Sequence, residues 1–341
     1  REVDIVKVFA PEHGFRGDHA NGDHIYDDID PKTNLPILSL HGKFRKPSKE
    51  SLSEVDLIIF DIQDVGARFY TYLSTLLLVM EAAAESDVEV LVLDRPNPHG
   101  HHVDGPMLDP AFKSFVGWAP VPVIHGMTFG ELAKMAVGEG WLEGELTPRL
   151  TVLKCEGYAH SDRYMLSIAP SPNLPTHISV ELYPSLCFLE PTNVSIGRGT
   201  PTPFEIGGVP RGMTPNIPVG KDALNFTPVS TPGASPHPKH EDVVCVGENF
   251  QSRGEKWWME GPSWDLSILE TYAHSFRNDE NKISGFFTSK SFFDKLAGTD
   301  QLRLCLEKGE GLEALKALWH KDLIEFRKDR QPYLLYPIQR N

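Results

Sequence analysis

Three short apolar runs stand out in the first half of the chain, at residues 4–9, 55–61 and 88–94. Each is nearly continuous and rich in Val, Ile and Leu, which is typical of strands covered on both faces in a parallel sheet. Between the second and third runs, residues 70–86 are apolar and rich in alanine, and they are long enough for a crossover helix. This alternation predicts an α/β domain with a doubly wound, mainly parallel sheet.

Two later segments continue the alternation. Residues 128–131, Thr-Phe-Gly-Glu, fit a capping box, in which the Thr hydroxyl and the Glu carboxylate satisfy unpaired amides of the first helical turn. Residues 150–154 then form another apolar run and predict a further strand. The sequence therefore predicts a helix that starts near Thr128, followed by a strand of the same sheet.

The second half of the chain has a different texture. Nine prolines fall within residues 201–238, with several glycines among them, which favours short strands and extended loops. The last eighty residues become helical again. We place a domain boundary near Asn173, so that residues 1–172 form the α/β domain and residues 173–341 form an accessory α+β domain.

Charge and cysteine content narrow the class of protein. The formal net charge of −14 argues against nucleic acid or an anionic membrane as partner, because phosphate binding requires concentrated Lys and Arg. The four cysteines lie far apart without a CxxC pair, so neither a structural zinc site nor a dense disulfide framework is expected. No apolar run is long enough to span a bilayer. The chain opens on charged residues and a strand-like run, so any export signal is expected to have been removed.

The three best predicted strands all run into polar turns, at residues 11–17, 61–70 and 94–100. Ligands of an open parallel sheet bind beyond the carboxyl ends of its strands, so these turns are expected to meet in one crevice. They supply acids, cations, an imidazole, an amide and aromatic rings, namely Glu12, Asp61, Asp64, Asp94, Arg16, Arg68, Arg95, His13, Asn97, Phe15, Tyr70 and Tyr72.

Several common chemistries lack their motifs. The chain has no GxGxxG after its first strand, no GxxxxGK and no GxSxG, which disfavours dinucleotide binding, P-loop phosphate binding and an α/β-hydrolase serine mechanism. Carboxylates beside aromatic rings and hydrogen-bonding Arg and Asn suit the cleavage of glycosidic bonds. That reaction requires a carboxylic acid to protonate the leaving oxygen and groups that stabilise an oxocarbenium-like centre.

A set of sequence blocks resembles one enzyme family. PEHGFRG, DIQDVGARFYTY, LDRPNP, SFVG, HGMTFGEL, PSPN and TNVSIGRGT followed by PFE occur in order between residues 11 and 205. Together they resemble the exo-β-N-acetylmuramidases of the NamZ type, and a fainter likeness extends to residues 333–336. One departure is the Gly22-Asp23 pair, where many members of the family have Gly-Glu.

The resemblance implies an exo-acting glycoside hydrolase that releases terminal N-acetylmuramic acid from peptidoglycan fragments. It implies a Rossmann-like N-terminal domain, a smaller C-terminal domain and an active site in the cleft between them. We expect neither a cofactor nor a metal. The resemblance also implies Glu12 as the leading catalytic residue, and we expect it to act as general acid. For the second group, a carboxylate such as Asp61, Asp64 or Asp94 and the 2-acetamido group of the substrate both remain open.

The substrate suggests roles for further residues. N-acetylmuramic acid carries a lactyl ether that ends in a carboxylate, and a guanidinium can bind a carboxylate through two parallel hydrogen bonds. Arg68, Arg95 and Arg198 are the candidates for this contact, with Arg16 behind them. The remaining expected substrate contacts are His13, Asp64, Tyr70, Asn97, Asn173 and Asn193.

Competing interpretations remain for individual residues and for the whole protein. Either Asp61 or Asp94 could have a purely structural role, in which its carboxylate binds backbone amides of a tight turn. Arg68 and Arg95 could likewise be structural ion-pair partners. A solvated loop is expected for His99, His101 and His102 rather than a metal site. The alternative functions are a non-catalytic cell-wall sugar-binding protein and a metal-dependent hydrolase, with a nicotinamide oxidoreductase third. A cell-wall substrate implies secretion or a periplasmic location.

Overall fold

The computed structural model describes residues 3–16, 26–214, 216, 222–261 and 264–339. The Gly22-Asp23 pair lies outside these residues. Within the described part of the chain, no helix is both long and apolar enough to cross a membrane.

The two halves of the chain differ in their secondary structure. The strands are β1 (Val8–Ala10), β2 (Asp28–Ile29), β3 (Pro36–Ser39), β4 (Leu57–Phe60), β5 (Glu89–Leu93), β6 (Asp104–Met107), β7 (Pro122–Ile124), β8 (Leu150–Leu153), β9 (Ile206–Pro210), β10 (Ala223–Phe226) and β11 (Cys245–Asn249). The α-helices are α1 (Lys49–Leu52), α2 (Tyr72–Glu85), α3 (Phe129–Gly138), α4 (His177–Leu186), α5 (Gln251–Glu260), α6 (Ser267–Ser275), α7 (Lys290–Ala297), α8 (Gln301–Lys308) and α9 (Leu312–Asp329).

A parallel sheet of order β4-β5-β8 forms the centre of the first half. The crossover from β4 to β5 contains α2, as the apolar run at residues 70–86 predicts. The side chains of α2 are buried on nearly every side of the helix, from Tyr72 to Ala83. A helix that is apolar all round belongs between layers of structure, and α2 contacts both β5 and α3.

The first predicted strand pairs differently from the expectation of one continuous sheet. Strand β1 runs parallel to β3, and the two-residue β2 completes that sheet in the antiparallel direction. Among the described residues, β1 shares no ladder with β4 or β5. The fold is thus mixed α/β with a parallel sheet, whereas the Rossmann-like arrangement and the cleft between domains stay predictions.

Helix α3 begins where the capping box predicts. The Thr128 hydroxyl accepts a hydrogen bond from the Glu131 amide, and the Glu131 carboxylate accepts one from the Thr128 amide. Strand β8 follows and pairs parallel with β5 through residues 150–153, which confirms the strand predicted there. Both elements are set by local sequence signals.

The second half joins an antiparallel sheet of order β10-β11-β9 to the helices α4–α9. Its strands are only four or five residues long, as the proline-rich stretch predicts. Helix α9 then returns to the first half and packs on β6, where Trp319 donates to Asp104 and Arg327 donates to the Val103 carbonyl. The two halves are therefore tied together by the end of the chain, and the boundary near Asn173 stays a prediction.

Candidate active site

Glu12 lies in the turn that follows β1, beside the start of α2. The Thr71 hydroxyl donates to its Oε2 atom at 3.1 Å, and the Tyr72 hydroxyl donates to its backbone carbonyl at 2.9 Å. Thr71 is the residue that precedes α2, yet its side chain caps no amide of the helix. The hydroxyl that would cap the helix is directed to the carboxylate instead.

The backbone of this turn is held in an unusual conformation. His13 has a φ of 70°, a left-handed value that residues other than glycine adopt rarely, and its side chain is buried. The Gly14 amide closes the turn by donating to the Pro11 carbonyl at 3.0 Å. A strained turn of this kind persists where the surrounding structure fixes it, and such positions cluster at functional sites.

A row of aromatic rings leads from Glu12 into the second half of the chain. Tyr72 contacts Tyr70 edge to face at 5.1 Å between centroids, and Tyr70 contacts Tyr183 of α4 at 5.9 Å. The Tyr183 ring in turn lies 5.1 Å from that of Phe204. The Tyr70 hydroxyl donates to the Pro170 carbonyl at 2.7 Å, so this ring is fixed at both ends. All four rings are buried, so the row packs the surroundings of Glu12 against the second half of the chain.

Four buried ionisable side chains form a separate cluster. Asp64 Oδ2 lies 3.4 Å from His125 Nε2, and His99 Nε2 lies 3.7 Å from Glu181 Oε2. All four are at most 3% exposed. Within the described residues, Asp64 Oδ2, His125 Nε2, His99 Nε2 and Glu181 Oε1 make no hydrogen bond. The cluster is therefore polar, enclosed and incompletely hydrogen-bonded, and such burial lowers the stability of the fold.

Burial decides the protonation of this cluster. It raises the pKa of Asp64 to about 7, against the opposing effect of the Gly66 and Val65 amides. Burial lowers the pKa of His125 to about 3, helped by the charge of Arg330, and it also lowers the pKa of His99. Both histidines are consequently neutral at pH 7, whereas Asp64 exchanges a proton near neutrality.

Replacing Asp64 by asparagine is expected to change how stability depends on pH. The pKa of Asp64 is raised in the folded protein, so its proton stabilises the fold below about pH 4 and this contribution is lost as the pH rises through about 7. The free energy of unfolding of the wild type, minus that of Asp64→Asn, should therefore fall by roughly 4 kcal/mol between pH 4 and pH 8. Urea unfolding at both pH values measures this difference.

The histidines titrate in both proteins, so most of their contribution cancels from the difference. A difference that is the same at pH 4 and pH 8 would mean that folding does not raise the pKa of Asp64.

Asp94 is engaged at both carboxylate oxygens. Its Oδ2 accepts from the hydroxyls of Thr128 and Tyr336, each at 2.6 Å, and its Oδ1 accepts from the Gly130 amide at 2.8 Å. The side chain thus holds the start of α3 against the end of the chain. A Cβ atom at position 130 would lie 2.7 Å from Asp94 Oδ2, which explains the glycine in the capping sequence.

Asp61 and Arg95 form an exposed ion pair. Arg95 Nη2 lies 2.6 Å from Asp61 Oδ1, and both side chains are 44% exposed. Such pairs contribute little to stability because water screens them. Arg16 is likewise paired, through two hydrogen bonds to the buried Asp30, and these hold the pKa of Asp30 well below its usual range.

Arg68 is completely buried. Its terminal nitrogens donate to four carbonyls, those of Pro106, Val121, Leu296 and Ala297. The last two belong to α7, so the guanidinium joins the first half of the chain to the second. Burial lowers the pKa of Arg68 to about 9, which still leaves it charged at pH 7.

The three asparagines are held by backbone groups. Asn97 is buried and donates to the Met127 carbonyl while its Oδ1 accepts from the His99 amide. Asn173 donates to the Ala234 carbonyl at 2.7 Å, and Asn193 donates to that of Gly285. Asn97 thereby orders the turn after β5, and Asn173 joins the loop after Pro170 to the proline-rich segment.

The histidine-rich loop is not solvated, contrary to the expectation from its sequence. His99 is fully buried and its Nδ1 donates to the Val65 carbonyl at 2.7 Å, and His101 contacts Arg163 at 2.7 Å. The loop packs under the turn after β4, a contact that a local pattern does not reveal. Among the described residues, no group of three His, Cys, Asp or Glu side chains is arranged to hold a metal ion.

The structure also places at the site some residues that sequence reasoning missed. Thr71 lies in the block DIQDVGARFYTY and His125 lies in the block HGMTFGEL, so the sequence blocks already indicated both positions. Tyr183 and Glu181 of α4 carry no such signal, because the fold brings them to the site from the second half of the chain.

Comparisons with known proteins agree along nearly the whole chain. A family model described as exo-β-N-acetylmuramidase NamZ, N-terminal, matches residues 1–178, and its C-terminal counterpart matches residues 181–336. The chain is 39% identical over 344 residues to the peptidoglycan β-N-acetylmuramidase NamZ of Bacillus subtilis strain 168, covering 98% of this chain and 80% of that protein.

Two solved structures have a fold similar to that of this chain. A crystal structure of a DUF1343 family protein from Bacteroides fragilis NCTC 9343 has a TM-score of 0.84 and 42% identity, covering 98% of this chain and 87% of its own. A second DUF1343 family protein from the same organism has a TM-score of 0.74 and 29% identity, with the same coverage.

Proposed function

The chain belongs to the exo-β-N-acetylmuramidase NamZ family and is a glycoside hydrolase; from this premise we propose that it releases terminal β-linked N-acetylmuramic acid from peptidoglycan-derived saccharides. In this proposal it acts on peptidoglycan fragments of the MurNAc-GlcNAc type, outside the cytoplasm or in the periplasm. The name of the Bacillus subtilis relative, peptidoglycan β-N-acetylmuramidase, supports a peptidoglycan substrate.

The observation that supports the proposal is the partial burial and the hydrogen bonding of the Glu12 carboxylate. It is half-buried at the end of β1, and a neutral hydroxyl, that of Thr71, holds one of its oxygens. Among the described residues, its other oxygen has no hydrogen-bond donor. Asp94 is bound at both oxygens, Asp64 is sealed from solvent, and Asp61 is paired with a cation on the surface.

Glu12 is thus the acid of the strand-end turns that can reach a bound substrate. As general acid it transfers its proton to the glycosidic oxygen while the bond from that oxygen to the anomeric carbon breaks. Positive charge then develops on the anomeric carbon and the ring oxygen. The hydroxyl of Thr71 stabilises the carboxylate that remains after the proton has left.

The contacts of the other carboxylates indicate which group attacks the anomeric carbon. Asp61, Asp64 and Asp94 were the candidates from sequence, and each is paired or enclosed among the described residues. This favours the substrate's own 2-acetamido group as the group that attacks the anomeric carbon, with water then opening the cyclic intermediate. A carboxylate that activates water remains the alternative.

The proposal is tested with two chromogenic substrates, an aryl β-N-acetylmuraminide and the matching aryl β-N-acetylglucosaminide. The wild-type protein should release the chromophore from the muraminide and far less from the glucosaminide, with or without a chelator. Turnover of neither substrate by a folded protein that still binds the sugar would favour the sugar-binding alternative. Activity that a chelator abolishes would favour the metal-dependent hydrolase.

A further inference from the structure

We infer that a cavity beside Arg198 is the subsite for the lactyl carboxylate of N-acetylmuramic acid, and that this guanidinium selects the muraminide over the glucosaminide. The inference rests on the proposed function. The cavity has a volume of about 450 Å³ and is lined by Glu190, Ser195, Arg198, Ser235 and Lys239 among others. That volume is in the range of pockets that hold small ligands.

The loop that carries Arg198 is fixed by the two glycines on either side. Gly197 and Gly199 both have a φ of 78°, in the left-handed region. A Cβ atom at Gly197 would lie 2.8 Å from the Thr202 carbonyl, and one at Gly199 would lie 2.6 Å from the Val229 carbonyl. Only glycine fits at both positions, so the loop presents Arg198 in one orientation.

Arg198 itself is positioned on one edge only. Its Nε donates to Glu190 Oε1 at 2.6 Å, and the guanidinium lies over the Phe204 ring at 4.9 Å from the centroid. The side chain is 19% exposed. Within the described part of the chain, its two terminal nitrogens donate to no acceptor. A guanidinium held in this way offers its remaining edge to a carboxylate.

The charge around the cavity favours an anion. The Lys239 ammonium lies in the wall, where it donates to the carbonyls of Leu189, Glu190, Thr192 and Val194. Two cations, Arg198 and Lys239, therefore face one carboxylate, Glu190. Because the ammonium is fixed by carbonyls, it adds positive potential without competing for the ligand.

The other arginines that we considered for this contact from the sequence already have hydrogen-bond or ion-pair partners within the protein. The terminal nitrogens of Arg68 donate to four carbonyls inside the protein. Arg16 is bound to the buried Asp30 through two nitrogens, and Arg95 belongs to the exposed pair with Asp61. Arg198 is thus the candidate whose terminal nitrogens remain available beside a cavity.

Two chains of side-chain contacts connect the cavity with Glu12. The aromatic row begins at Tyr72, which donates to Glu12, and it ends at Phe204, over which Arg198 lies. The loop after Pro170 makes a second connection, since the Tyr70 hydroxyl donates to Pro170 and Asn173 donates to Ala234 of the cavity wall. The acid and the anion subsite are therefore linked through one row of packed rings.

The test uses the wild-type protein and Arg198→Gln with three aryl glycosides: the muraminide, its neutral lactyl amide and the glucosaminide. Arg198→Gln should lower kcat/KM on the muraminide by about 30- to 100-fold, because a charge-assisted pair is lost. Its kcat/KM on the amide and the glucosaminide should stay within about 3-fold of the wild type. Arg198→Lys should recover only part of the loss, since it keeps the charge without the planar fork.

Arg253→Gln is the matched control, because Arg253 also lies near a phenylalanine ring, that of Phe250, but donates to Ser267 and does not line the Arg198 cavity. Should Arg198→Gln not fold, the wild type alone still decides, since it must discriminate against the neutral amide by a similar factor. Equal turnover of muraminide and amide by the wild type would overturn the inference and leave the proposed function intact. Failure to turn over the muraminide at all would instead overturn the proposed function.

Discussion

Replacing Glu12 by glutamine is expected to lower kcat on a MurNAc-GlcNAc disaccharide by about 10²- to 10⁴-fold. Glutamine has the same shape and can still accept the Thr71 hydrogen bond at its carbonyl oxygen, but it has no proton to give to the glycosidic oxygen. The sugar alcohol is a poor leaving group, so its departure depends on that proton. Release of free N-acetylmuramic acid, followed by chromatography, measures the loss.

An activated substrate separates proton transfer from other roles of Glu12. A dinitrophenolate leaves without protonation, so Glu12→Gln should lose far less activity on the dinitrophenyl muraminide than on the disaccharide. Glu54→Gln, at an exposed glutamate of the first half, serves as control and should match the wild type on both substrates. An equal loss on the two substrates would show that Glu12 acts in some other way than as general acid.

Replacing Arg68 by methionine is expected to lower the free energy of unfolding by about 3–5 kcal/mol. The change removes the guanidinium donor from four carbonyls, of which that of Val121 keeps the Leu108 amide, and it removes the link between the first half of the chain and α7. Methionine fills much of the same space, so the loss reports the hydrogen bonds more than a cavity. Urea unfolding followed by circular dichroism measures this effect.

Arg95→Gln provides the contrast for that measurement. Arg95 belongs to an exposed ion pair, so its loss should change the free energy of unfolding by less than about 1 kcal/mol. Under conditions where Arg68→Met is folded, its KM for the muraminide should equal that of the wild type. A raised KM without a loss of stability would return Arg68 to the set of substrate contacts.

The parts of the fold that the sequence predicts well are those set by local signals. The capping box at Thr128 and Glu131 forms as expected because both bonds lie within one helical turn. The apolar runs at residues 55–61 and 88–94 become the paired parallel strands β4 and β5. The strand at residues 4–9 forms partly, as β1, but its partner β3 was not predicted, since β3 starts at Pro36 and is only four residues long.

The site is harder to predict, because the residues that decide it meet from distant parts of the chain. The sequence blocks indicate Glu12, yet Arg68 and Arg198 look alike as isolated arginines. Only the structure shows that Arg68 meets carbonyls more than 220 residues away, whereas Arg198 borders a cavity. Asp94 is a similar case, since its partner Tyr336 lies at the other end of the chain. Long-range hydrogen bonds of this kind leave no periodic trace in a sequence.

The most direct test of the central claim follows the first products that wild-type protein forms from a tetrasaccharide of alternating MurNAc and GlcNAc that carries MurNAc at its non-reducing end. An exo-acting enzyme is expected to yield free N-acetylmuramic acid and the corresponding trisaccharide from the earliest time points, as detected by mass spectrometry. Disaccharides as the first products, or an unchanged tetrasaccharide bound to folded protein, would contradict the account.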